Sequence, residues 1–100
     1  MSWADRHIQA LKAGQVTQCR PHGGSMRGRI ESGQLVTLAP VTGSDIHVGD
    51  VILVQWKNNY LLQLVLRVER DQFLIGNNLG KVNGWVPPTA LCGKVTAVED

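Results

Sequence analysis

The sequence predicts a mainly β protein: a coiled, partly closed sheet or small barrel preceded by one short N-terminal α-helix. Three observations predict it. Short segments rich in Val, Leu, Ile and aromatic residues recur from Val16 to Val98. Turns bearing glycine, asparagine or proline divide them, and only the first dozen residues space their apolar positions as a helix does. One hundred residues, 43% apolar and 18% charged, suffice for one core without metals or bridges, so a single domain over 1–100 is expected.

The elements follow in order. Ser2-Trp3-Ala4-Asp5 has the form of a capping box, and Trp3, His7, Ile8 and Leu11 lie on one helical face. Gly14 is a helix stop, which places the helix at 3–13. Val16 to Arg20 reads as a strand ended by Pro21, and 21–33, with four glycines, as an irregular loop containing one helical turn. Leu35 to Leu38 is a strand stopped by Pro40, and Val41 to Gly49 a turn-rich connection. Val51–Trp56 and Tyr60–Val68 flank Lys57-Asn58-Asn59, a hairpin turn because asparagine tolerates positive φ. Gln72–Ile75, Gly84–Val86 and Gly93–Val98 complete a β-rich part spanning 16–98.

Charge and cysteine usage narrow the functional classes. The net charge is +2, with residues 1–33 carrying +3 and the remainder −1. That mild basic field falls short of the dense basic face nucleic-acid binding requires, so no nucleic-acid partner is expected. No apolar run reaches the length of a membrane span and no leader is visible, so a cytoplasmic protein without a membrane partner is expected. Cys19 and Cys92 have no metal-type spacing and read as reduced, buried thiols, with a bridge conceivable only if their strands are adjacent. Neither metal nor cofactor is expected.

The candidate site centres on Gly23-Gly24-Ser25-Met26. A serine on a glycine turn just past a strand can hold its hydroxyl clear of the backbone. The remaining motifs are Val48-Gly49-Asp50-Val51, Leu62-Gln63-Leu64-Val65, Gly76-Asn77-Asn78 and Gly93-Lys94-Val95, in that order. Together they resemble the fold shared by signal peptidase I and the self-cleaving LexA-type repressors, over residues 16–98. The chain is similar to small stand-alone bacterial members of that fold. The resemblance implies a nucleophile position at Ser25, substrate contacts at Gly24 and Met26, and a base position at Gln63, where the family carries lysine or histidine. Gly28 stands where proline is usual, and Gln34 and Asn77 replace aspartates.

A glutamine amide cannot accept a proton at neutral pH, and removing a serine's base costs on the order of a million-fold in turnover. The resemblance with this departure implies a serine peptidase-like pseudoenzyme that binds a peptide segment or partner protein. Gln63, polar on an otherwise apolar strand, can donate its amide to the Ser25 hydroxyl and lock it, and an edge strand beside the groove can take a peptide by strand addition. Two alternatives stand beside it. His22, three residues before Ser25 and of a type that titrates near neutral pH, can substitute as base in an active serine hydrolase, either a peptidase or self-processing. The other is a regulatory module of a phage or repressor system. His47 and Lys57 read as solvated, Arg29 as a partner for Glu31, and autocleavage at Ala13-Gly14 is not expected.

Overall fold

A computed structural model describes residues 3–24 and 26–100. The described residues are mainly β, with one α-helix followed by seven strands in one antiparallel sheet and two short 3-10 turns in the connections. The helix, α1, spans Asp5–Lys12, shorter at both ends than the expected 3–13, and its N-cap is Ala4 in a helical conformation. The expected cap at Ser2 and the expected nucleophile Ser25 lie outside the described residues. At the other end Gly14 adopts φ +80, Gly14 N–H donates to Leu11 O and Gln15 N–H to Ala10 O. That pair of bonds is a Schellman closure, which only a residue at ease with positive φ completes cheaply. His7, Ile8 and Leu11 form the buried stripe of α1.

The strands are β1 (Thr17–Cys19), β2 (Leu35–Ala39), β3 (Val51–Trp56), β4 (Asn59–Glu69), β5 (Gln72–Gly76), β6 (Val82–Val86) and β7 (Leu91–Glu99). Their order in the sheet is β1-β2-β7-β3-β4-β5-β6. The last strand therefore inserts between β2 and β3 and ties both halves of the chain together. The expected closure is not found: the sheet is open, with β1 and β6 as its terminal strands. The β3–β4 hairpin is tighter than expected. Lys57 (φ 47) and Asn58 (φ 63) alone form the loop, and Asn59 already pairs with Trp56. Two successive positive-φ residues are the signature of a type I′ turn, which matches the twist of the strands it joins.

Side-chain alternation splits the core between the two sheet faces. Val36, Leu38, Val51, Leu53, Leu62 and Leu64 pack with Ala4, Ile8 and Leu11 of α1 and with Met26 and Ile30 of the loop before β2. On the other face Ile52, Val54, Val65, Phe73, Ile75 and Val86 pack with Ile46 from the β2–β3 connection. Cys19 on β1 and Cys92 on β7 are separated by β2, and both are free thiols whose pKa burial pushes up. The conceivable bridge between them is thereby ruled out. No helix of the described residues is long and apolar enough to cross a membrane.

Candidate functional site

The loop 20–33 is built by ties at both ends. Gly33 N–H donates to Pro21 O at 2.9 Å, and the Arg20 guanidinium donates to Gly33 O at 2.8 Å. These bonds lay residues 21–23 alongside 31–33. Between them a single turn forms, with the N–H groups of Arg29 and Ile30 both donating to Met26 O. Met26 and Ile30 point into the core and anchor that turn by burial. Gly24 precedes the undescribed position 25, with the Arg27 guanidinium close beside its Cα.

Two distant turns hold the loop on the sheet. Arg29 Nε donates to Asn78 Oδ1 at 3.0 Å, and Arg29 Nη1 donates to Gly49 O at 3.1 Å. Asn78 Nδ2 in turn donates to Arg27 O at 2.7 Å. A Cβ at Gly28 (φ +95) would stand 2.9 Å from Asn78 Nδ2, so the close approach needs glycine there. Glu31 caps the turn by accepting from Gly28 N–H, and the expected Arg29–Glu31 pair does not form. Asn77, beside Asn78, shapes the β5–β6 turn by accepting from the N–H groups of Leu79 and Lys81. Asp50 has a structural task as well: its carboxylate accepts from His47 N–H and sits 3.3 Å from Lys94 Nζ. Three of the separated sequence motifs thus meet around one loop.

A cavity of about 380 Å³ lies between this loop and β4. Trp3, Met26, Ile30, Tyr60 and Leu62 supply apolar lining, and His22, Glu31, Ser32 and Gln63 the polar part. That is the size and mixture of a ligand pocket, with few polar groups on a largely apolar wall. One wall is special because β4 is eleven residues long and β5 only five. β5 pairs with β4 only from Leu64 onward, so residues 59–63 pair with β3 alone among the described residues.

Register fixes which groups that free edge presents. In a two-residue hairpin Trp56 and Asn59 form the terminal bonded pair, and bonded pairs recur at Val54–Leu61 and Ile52–Gln63. The backbone N–H and C=O groups of Tyr60 and Leu62 therefore point away from β3, towards the unpaired side. Tyr60 N–H is taken up locally by Asn59 Oδ1 at 2.9 Å, so an extended segment laid there would find one open donor, Leu62 N–H, and two acceptors, the carbonyls of Tyr60 and Leu62.

Gln63 lies within this stretch, 5% exposed, and its side-chain Oε1 has no hydrogen-bond partner among the described residues. Its register neighbour is Ile52. His22 lines the same cavity, with Nδ1 3.4 Å from Ser32 Oγ. Gly23 and Met26 line it too. His47 is exposed, at the surface beside Asp50, and Lys57 lies over the Trp56 ring, so both are apart from the cavity. Among the described residues no cluster of His, Cys, Asp or Glu could hold a metal ion.

Ser32, the free stretch of β4 and the Arg29–Asn78 clamp were not singled out by sequence reasoning. The free edge did leave a signal, since the expected fourth strand was twice as long as the fifth. The clamp and Ser32 left none, because each depends on contacts between segments far apart in sequence or on loop closure. No protein-family model, no curated protein and no solved structure matches the chain.

Proposed function

We propose that this chain is a serine peptidase-like domain of the LexA/signal-peptidase type that has kept the nucleophile position and lost the base, and that binds an extended peptide segment of a partner protein. The observation that carries the reading is the free edge of β4 at residues 59–63 beside an apolar cavity; the resemblance assigns the base position to Gln63, which is buried there. A neutral amide does not take a proton from a serine, whereas main-chain edge groups bind peptide without any chemistry. In this reading Ser25 holds the nucleophile position and Gln63 the base position, and Gly24 and Met26 border the bound segment.

Two measurements test it. The amide chemical shift of Leu62 is expected to move on titration with apolar extended peptides, while the paired amides of β7 stay still. A fluorophosphonate probe is expected to leave Ser25 unlabelled, and Gln63→Lys or Gln63→His to create labelling there. Rapid labelling of Ser25 in the unmodified protein would establish instead an active hydrolase with His22 as base, the alternative favoured by the placement of that imidazole in the same cavity.

A further inference from the structure

The loop tie between Pro21 and Gly33 brings together Ser32, which the proposed function does not use, and His22, which enters only its alternative. Gly23 N–H donates to Ser32 Oγ at 3.3 Å, and the same oxygen lies 3.4 Å from His22 Nδ1. Since Oγ already accepts from a backbone N–H, the hydroxyl's own hydrogen is left to point at Nδ1 when the imidazole carries its proton on Nε2. A hydroxyl that donates to an imidazole and is polarised by an N–H donor is the ground-state arrangement of an activated serine. Both residues line the apolar cavity with Trp3, Met26, Ile30 and Leu62, so an acyl group seated there would bring its carbonyl to the hydroxyl.

We propose that Ser32 and His22 are a nucleophile–base pair that takes acyl groups from activated esters with small apolar acyl chains. Ser32 Oγ attacks the ester carbonyl carbon and its proton passes to His22 Nδ1. The alkoxide or phenoxide then leaves and carries that proton away from the imidazolium, and water hydrolyses the serine ester with His22 again as base. Neither an oxidant nor a metal enters the balance. The 3.4 Å separation is long for a committed hydrogen bond, and such pairs tighten when substrate excludes water. The inference concerns a serine other than Ser25 and stands independently of the peptide-binding reading.

The two serines can be told apart chemically. Trypsin cleaves after Arg27 and Arg29, so Ser25 and Ser32 fall in different fragments. The protein is incubated with a fluorophosphonate, in which the Oγ–P bond forms as fluoride leaves, and the adduct is mapped by tandem mass spectrometry. The expected result is an adduct on Ser32, absent in Ser32→Ala, retained in Ser44→Ala, and slowed on the order of a hundred-fold in His22→Gln. Circular dichroism of each variant confirms that the exposed substitutions leave the fold intact.

No adduct after prolonged incubation overturns the inference and leaves the peptide-binding reading standing. An adduct on Ser32 that forms equally fast in His22→Gln also overturns it, because the imidazole is then not the base. An adduct on Ser25 alone overturns both the inference and the inactive assignment of that position.

Discussion

Replacing Gln63 by leucine is expected to stabilise the protein, an unusual direction for a substitution at a buried site. Gln63 is 5% exposed and its Oε1 lacks a partner among the described residues, so folding strips water from that oxygen without return. Leaving a buried polar atom unsatisfied costs about 1–3 kcal/mol. Leucine has similar volume and no polar atom, and its neighbours across the ladder and two residues on, Ile52 and Val65, are apolar. Against that gain stands the fit of a branched side chain in a site shaped by a linear one, which costs up to about 1.5 kcal/mol for a volume-conserving exchange. The balance is about 1 kcal/mol in favour of leucine, which in a chain of this size raises Tm by roughly 4–8 °C. Urea denaturation with a shared m-value is the assay. Destabilisation by more than about 1 kcal/mol would refute the reasoning, since it would mean that Oε1 is satisfied in solution.

Two other predictions follow from the loop and the helix. Asn78→Ala removes an acceptor for Arg29 and a donor to Arg27 O, costing about 1–2 kcal/mol locally; hydrogen exchange at the Arg29 and Ile30 amides is expected to accelerate roughly ten-fold while β3–β4 amides are unchanged. His7, 4% exposed with Nδ1 2.7 Å from Thr17 Oγ1, has its pKa lowered from 6.5, first by burial and then by Arg6. Below pH 6.5 the unfolded chain therefore binds this proton before the folded one does. Stability is expected to fall with decreasing pH from 6.5 down to the folded pKa, by at most about 1.4 kcal/mol per pH unit, and to lose that component in His7→Asn; an identical pH profile in the variant would remove His7 as its source.

Local chemistry made most of the strands readable. The run Val51–Trp56 was placed to the residue because both its ends are marked by turn formers, Gly49-Asp50 and Lys57-Asn58. The helix stop at Gly14 was readable for the same reason: positive φ is a property of the residue itself. What failed depended on distance. Whether a sheet closes is decided by which strands lie at its ends, and the placement of β7 between β2 and β3 cannot be read from either segment alone. The Arg29–Glu31 pair looked natural as neighbours in sequence, but a guanidinium with a carbonyl and an amide oxygen in reach satisfies more donors than one exposed carboxylate would. At the candidate site, the residue types were legible and their partners were not. Gln63 was recognisable as an odd polar residue in an apolar strand, whereas the proximity of His22 to Ser32 arises only from the closure between Pro21 and Gly33.

The free stretch of β4 and the buried amide within it are two liabilities at one place, and their coincidence is what argues for use rather than accident. An unpaired strand edge invites unwanted pairing, and sheets usually guard such edges with charge or proline. Residues 59–63, Asn-Tyr-Leu-Leu-Gln, contain neither. A five-residue β5 could have been extended to cover the edge; instead the chain turns away at Gly76-Asn77-Asn78, and Asn78 is spent on clamping the loop that forms the opposite wall of the cavity. The same turn that leaves the edge bare therefore also fixes the wall facing it. A sheet selected for stability alone gains nothing from that arrangement, while a site that receives a strand needs both a bare edge and a rigid wall at a set distance from it.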